Sequence, residues 1–140
     1  MTIVLRPHQQ MALDALRRSF ASGHRRPMLQ APTGFGKTIV AAEIAQGILN
    51  RRRRCIFVVP FLSLIDQTIT RFEQCGITEV GVIQGNHPRG DARASIQVCS
   101  RDTLSARNLH PHCDLVVVDE AHINSKWLFG WMKSPVAPKL

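Results

Sequence analysis

The octapeptide Ala31-Pro32-Thr33-Gly34-Phe35-Gly36-Lys37-Thr38 constrains this chain more than any other segment. A short stretch, Pro27 to Gln30, precedes it and reads as a strand. Val40, Ala41, Ile44, Ala45, Ile48 and Leu49 follow on one face of a helix. Ala-x-x-x-x-Gly-Lys-Thr between a strand and a helix is the pattern of a phosphate-cradling loop. Gly34 and Gly36 let the backbone turn so that its N–H groups point at anionic oxygens. The helix that starts near Lys37 presents its positive dipole end to the same anion. Lys37 is positioned to reach the β/γ-phosphates, and the Thr38 hydroxyl to ligate Mg²⁺. A glycine-rich turn that held a lysine by chance would lack those flanks.

The rest of the chain alternates helical and strand-like stretches, which predicts an α/β fold with a mostly parallel sheet flanked by helices. Pro7 suits a first helical turn, and Met11, Ala12, Ala15, Leu16, Ser19 and Phe20 recur at helical spacing after it. Cys55-Ile56-Phe57-Val58-Val59 is a continuous apolar run, as expected of a strand buried on both faces. A helix is predicted from about Leu62 to Cys75, burying Leu62, Ile65, Ile69 and Phe72. Further strands are predicted at Val80 to Ile83, at about Ile96 to Cys99 with a short helix after it, and at Asp114 to Val118. Gly85 to Asp91 reads as a loop. An amphipathic piece with Trp127, Leu128 and Trp131 comes last, before Ser134 to Pro138 breaks any helix.

Asp119-Glu120-Ala121-His122 closes the fifth predicted strand, about 80 residues after the phosphate loop. A carboxylate at the C-terminal end of a buried strand faces the crevice where α/β folds bind ligands. Asp119 suits the Mg²⁺-side carboxylate, and Glu120 suits the residue that orients or deprotonates an attacking water. His122 alone reads as a surface histidine.

With these residues on the page, the chain resembles the first RecA-like motor domain of superfamily-two helicases and translocases of the DEAD/DEAH-box type. Further stretches match in order. Leu5-Arg6-Pro7-His8-Gln9 is similar to the start motif Leu-Arg-Pro-Tyr-Gln, which implies adenine contacts for Arg6 and Gln9. Val58-Val59-Pro60-x-x-x-Leu64-x-x-Gln67 resembles a motif that touches nucleic-acid backbone, implicating Pro60 and Gln67. Val98-Cys99-Ser100-x-x-Thr103-Leu104 resembles a later nucleic-acid motif, implicating Ser100 and Thr103. Within the family the chain looks closest to the restriction-enzyme and repair-translocase branch. The resemblance implies ATP and Mg²⁺ as ligands, with Arg6, Gln9, Thr33, Gly34, Gly36, Lys37 and Thr38 around the nucleotide. It implies Thr38 and Asp119 at the metal, and Lys37, Asp119 and Glu120 in catalysis. A nucleic-acid partner is implied, DNA ahead of RNA.

The family also carries a Ser-Ala-Thr motif and a second motor domain, and neither follows Asp119 to His122 within the 140 residues. In the family the Ser-Ala-Thr strand is implied to lie between the phosphate-loop strand and the Asp-Glu strand. The expectation is therefore an incomplete ATP-binding domain over residues 1–140, truncated before that strand, with the second motor domain or subunit supplied elsewhere. Little hydrolysis is expected alone, since an arginine finger from a partner is worth about 10³–10⁵ in rate in related NTPases. An alternative is a natural stub whose sheet closes by pairing the two strands directly. At the level of function, alternatives are a small nucleotide kinase, a P-loop regulatory module, or a remnant that binds nothing.

Charge adds a constraint. Residues 1–54 hold ten Lys/Arg against two Asp/Glu, and residues 55–140 hold eight of each. A basic chain suggests a polyanionic partner, and a solvated surface explains it equally. Arg25, Arg26 and Arg51 to Arg54 precede predicted parallel strands, so they are expected at the sheet edge opposite the nucleotide. No apolar run approaches the roughly 20 residues of a membrane helix, and Met1 to Gln10 has no signal-peptide pattern. Cys55, Cys75, Cys99 and Cys113 form no CxxC pair and read as reduced cytoplasmic thiols. His110-Pro111-His112-Cys113 crowds potential metal ligands, but with no second cluster it reads as a polar loop.

Overall fold

A hydrophobic strand with no polar position must be covered on both faces, and β1 (Cys55–Val59) is buried at all five residues in the computed structural model. The structure describes residues 4–32, 34–84, 90, 93–108, 111–120 and 126–133. Thr33, Gly85 to Arg89, Asp91, His110, Ala121, His122 and Ser134 to Pro138, each singled out in the sequence, lie outside the described residues.

Around β1 run α1 (Pro7–Ala21), α2 (Lys37–Asn50), α3 (Ser63–Gln74), β2 (Val80–Ile83), β3 (Ile96–Ser100), α4 (Arg101–Arg107), β4 (Leu115–Val118) and α5 (Lys126–Lys133). The described strands form one parallel sheet in the order β2-β3-β1-β4. Cys55 stands opposite Ile96 on one side and Leu115 on the other, and Val80 opposite Ile96.

The period-two geometry of a strand splits the core in two. Cys55, Phe57 and Val59 belong to one cluster, with Ala41, Ala45 and Ile48 of α2 and Ile65, Ile69 and Phe72 of α3. Ile56 and Val58 belong to the other, with Leu104 of α4 and Leu128 and Trp131 of α5. Phe57 and Phe72 meet edge to face, with ring centroids 5.3 Å apart, a favoured aromatic geometry. Trp131 is buried and Trp127 donates its indole N–H to Asn108 Oδ1 at 3.2 Å, so this pair anchors α5.

Three sequence expectations are corrected. Residues 27–30 form no strand, and β4 pairs with β1, not with the segment before the phosphate loop. Pro27 brings no N–H to a ladder, and a four-residue strand without a neighbour has nothing to bond. The direct pairing of the two strands is therefore not adopted. Leu62 is half exposed, because α3 begins at Ser63 and its buried stripe runs through Ile65, Thr68, Ile69 and Phe72. In α1, Met11 and Ala15 are exposed, and the buried positions are Gln9, Ala12 and Leu13. That rotation of the helix carries a glutamine into the interior.

Candidate nucleotide site

The loop before α2 turns through two glycines. Gly34 and Gly36 both have φ +82°, the left-handed region that glycine enters without a Cβ penalty. Gly36 is the N-cap of α2 and, having no side chain, gives no side-chain cap to the amides of the first helical turn. An anion seated there meets those N–H groups and the helix dipole together. Lys37 is the first helical residue and is exposed, and Thr38 follows half-buried.

Parallel pairing brings the end of β4 to the same edge. The Asp119 N–H donates to the Val58 carbonyl at 2.9 Å, continuing the ladder one step beyond the strand. Glu120 then breaks it with φ +55°, a rare conformation for a residue with a Cβ. From that turn its carboxylate lies across from the loop: Lys37 Nζ is 3.7 Å from Glu120 Oε1.

The start of α1 packs onto the loop from the other side. Gln9 is buried, and its amide is used at both ends. Its Oε1 accepts from the Arg6 N–H at 2.9 Å, reaching back from the third helical position to the N-cap. Its Nε2 donates to the Phe35 carbonyl at 3.1 Å and the Gly36 carbonyl at 3.4 Å. His8 lies beside it. In the tautomer with the proton on Nε2, it donates to the same Phe35 carbonyl at 3.1 Å. Its ring meets the Phe35 ring edge-on at 4.7 Å. The structure thus brings Gln9 against Gly36, and Lys37 against Glu120. His8 and the Phe35 carbonyl were not legible as loop supports in the sequence. The one available signal was a polar residue, Gln9, at the position where α1 meets another element.

The residues implicated in nucleic-acid contact are placed differently. Pro60 is buried at the end of β1, while Gln67 is exposed on α3. Ser100 is buried, and its Oγ accepts from the Thr103 N–H at 3.1 Å and donates to Thr103 Oγ1 at 2.9 Å. Both hydroxyls therefore serve the N-cap of α4. Among the described residues no group of three His, Cys, Asp or Glu is arranged to hold a metal ion. The cysteines are free and buried. Burial pushes the Cys55, Cys99 and Cys113 thiols up to about 12, which keeps them protonated and unreactive. No helix among the described residues is long and apolar enough to cross a membrane.

Comparison with known proteins agrees with this architecture. The family model described as type III restriction enzyme, res subunit, matches residues 2–127. Among solved structures, the chain is similar to a nuclease-deletion mutant of the Type ISP restriction-modification enzyme LlaGI in complex with a DNA substrate mimic. The TM-score is 0.65 at 16% identity, over 85% of this chain and 15% of that one. At that identity the likeness is one of fold, and the chain spans only a small part of that enzyme's length.

Proposed function

The chain belongs to the family of the type III restriction enzyme res subunit, with a helicase-type motor fold, and from that premise we propose that it is the ATP-binding portion of a nucleic-acid-dependent ATPase. The observation that carries the reading is the 3.7 Å approach of Lys37 Nζ to Glu120 Oε1. It sets the cation of a phosphate loop against the carboxylate turn at the C-terminal edge of a parallel sheet, where ligands of α/β folds bind.

In this reading the triphosphate lies along Gly34 to Thr38 and displaces Glu120 as the partner of Lys37. Gly34, Gly36 and the first amides of α2 hold its oxygens, and Thr33 lies within the same loop sequence. Thr38 and Asp119, on the two facing segments, are the residues that would hold Mg²⁺. Oxygen ligands from a hydroxyl and a carboxylate suit that hard cation. When bound, it neutralises charge on the phosphates. Glu120, released from Lys37, orients the attacking water and takes its proton. Arg6, the N-cap of α1, is exposed and gives its N–H to Gln9 Oε1. The track proposed is nucleic acid, DNA ahead of RNA, with exposed Gln67 on this domain's contribution to it and Pro60 buried behind it at the end of β1. The DNA substrate mimic held by the LlaGI variant favours DNA. A second motor domain or subunit supplies the remaining catalytic groups, so the chain alone hydrolyses ATP slowly. Buried free thiols fit a reducing cytoplasm.

Equilibrium binding of Mg-ATP to the wild-type chain and to Lys37→Ala tests the reading. Binding that needs Lys37 is expected. Equal affinity of the two, or none in either, overturns it. Transfer of phosphate to a nucleoside monophosphate instead would favour a kinase.

A further inference from the structure

We propose that the turn Arg51 to Arg53 is a docking point for an acidic protein segment, which its guanidinium groups hold at the sheet edge opposite the nucleotide loop.

Four arginines, Arg51 to Arg54, fill the connection between α2 and β1. Arg51, Arg52 and Arg53 are exposed. No Asp or Glu stands between Glu43 and Asp66 in the sequence. Among the described residues none of the three arginines has an acidic partner. One cation is enough to offset the negative end of a helix dipole. Three in succession repel one another, so the helix end alone does not account for them.

Hydrogen bonds fix the turn. The Arg52 N–H donates to the Leu49 carbonyl and the Arg53 N–H to the Ile48 carbonyl, each at 3.0 Å, the paired bonds of a Schellman ending. The Arg54 N–H donates to Asp114 Oδ2 at 2.9 Å, which ties the far side of the turn to the start of β4. The residue just past the C-cap of such an ending takes left-handed backbone, and glycine is its usual occupant. Here it is Arg52, at φ +55°. A Cβ strains that conformation, and strained residues persist where their side chain is used. An arginine kept where glycine folds better marks the guanidinium as what this turn supplies.

A guanidinium fork matches carboxylate and phosphate alike, and the backbone separates the two. Phosphate sites favour helix N-termini, whose amides point outward. At this turn α2 ends, and the N–H groups of Arg51, Arg52 and Arg53 all bond carbonyls of α2. The negative end of the helix dipole faces any ligand here. The nucleic-acid track proposed above lies at the other edge of the sheet. An acidic protein segment needs no amides from the turn, because its carboxylates stand on separate side chains, one to a fork. The fixed backbone also limits the order lost when such a segment docks.

The experiment follows the fluorescence anisotropy of a labelled polyglutamate peptide mixed with the chain. No nucleotide is present, so the outcome is independent of the nucleotide reading. The buffer holds about 0.1 M salt, where charges more than about 10 Å apart are largely screened. Wild type should bind the peptide. Replacing Arg51, Arg52 and Arg53 together with Ser should weaken binding about tenfold, as for three exposed ion pairs. The melting temperature of that variant should match wild type, which separates lost docking from lost folding. Lys at all three positions keeps the charge without the fork and should give an intermediate affinity. Replacing Arg71 on α3 and Arg107 on α4 with Ser should leave the affinity unchanged. Arg52→Gly should raise the melting temperature by about 2–4 °C and still weaken peptide binding. No peptide binding by wild type, or an equal loss when Arg71 and Arg107 are replaced, overturns the proposal. So does a lower melting temperature for Arg52→Gly, which would make that arginine structural. Tighter binding of a short duplex DNA through the same three arginines also overturns it and makes the turn a nucleic-acid surface.

Discussion

Lys37 Nζ lies 3.7 Å from Glu120 Oε1, with both side chains more than a third exposed. An ion pair so open to water contributes at most about 1 kcal/mol to stability. Lys37→Ala should therefore leave the melting temperature nearly unchanged while weakening Mg-ATP binding about 10–100-fold, as for a lost charge-assisted contact. Glu120→Gln should bind Mg-ATP at least as well as wild type and hydrolyse it far more slowly. Calorimetry of binding and melting on the same samples separates the effects. A large drop in melting temperature for Lys37→Ala would make the pair structural.

Glu120 also stores strain. Its φ of +55° is costly for a residue with a Cβ, about 1 kcal/mol. Glu120→Gly should raise stability by roughly 0.5–1 kcal/mol while abolishing hydrolysis, the signature of a residue kept for chemistry. Asn108, at φ +48° in the C-cap of α4, is the control. Asparagine tolerates that region, so Asn108→Gly should change stability by only a few tenths of a kcal/mol. Equal gains at both sites would refute the distinction.

Glycines sort in the same manner. Gly36→Ala meets positive φ and the Gln9 amide together, and should cost more than the roughly 1 kcal/mol of left-handed strain alone. Gly34→Ala meets the same φ with open space around it and should cost only that strain. Gly47→Ala, inside α2 with nothing nearby, should stabilise by about 0.5–1 kcal/mol. Urea denaturation gives all three values. Gly34→Ala as harmful as Gly36→Ala would deny Gln9 its place against the loop.

Much of this molecule was legible in its sequence, and the parts that were not share a cause. β1 and β2 fall where apolar runs place them, because a strand buried on two faces needs little context. The two glycines declared the turn before α2, where both take a φ of +82° that a residue with a Cβ rarely adopts. Residues 27–30 did not become a strand, because strandhood depends on a partner that lies elsewhere in the chain. The inward turn of Gln9 escaped notice for the same reason. Its burial is set by carbonyls 26 and 27 residues away, and helical periodicity treats a glutamine as surface. Ser100 and Thr103 read as nucleic-acid contacts by resemblance, while their local role as a cap was visible in the Ser-x-x-Thr spacing itself.

Ser100 supplies a discriminating variant. Ser100→Ala removes the N-cap of α4 and leaves the half-buried Thr103 N–H without its side-chain acceptor, at about 1 kcal/mol. Ser100→Asp keeps an acceptor while placing a negative charge at the same point. If Ser100 is chiefly a cap, Ser100→Ala should lower the melting temperature and leave the affinity for single-stranded DNA unchanged. Loss of DNA affinity without loss of stability would restore the contact role.

The cysteines fix the behaviour in alkali. Cys55, Cys99 and Cys113 have folded pKa values pushed to about 12 from an ordinary 9.0, chiefly by burial. An acid whose folded pKa is raised stays protonated in the folded chain while the unfolded chain ionises. Its contribution is fully present below pH 9 and is lost as pH climbs from 9 toward 12. Stability should fall across that window, by up to about 1.4 kcal/mol per pH unit for each thiol that stays protonated. Cys→Ser replacement at Cys113, the thiol nearest the surface, should flatten the decline. At pH 8 iodoacetamide should label these three only after denaturation, and fast labelling in the native chain would contradict their burial.

The arginines offer the last test. The Arg54 N–H bonds Asp114 Oδ2 at 2.9 Å, and Asp114 returns its own N–H to the Arg54 carbonyl at 2.9 Å. This pins Arg51 to Arg54 at the edge where β1 and β4 begin. Asp119 and Glu120 lie where β4 ends, four strand residues and about 13 Å away. A nucleic-acid track on the catalytic edge would not cross exposed Arg51, Arg52 and Arg53. Replacing all three with Ser should leave Mg-ATP affinity unchanged. The slope of log affinity against log salt for single-stranded DNA should also hold steady. Each phosphate contact contributes about 0.7 to that slope on single strands. A fall of about 2 would place the arginines on the track and move the nucleic-acid path to the opposite edge of the sheet.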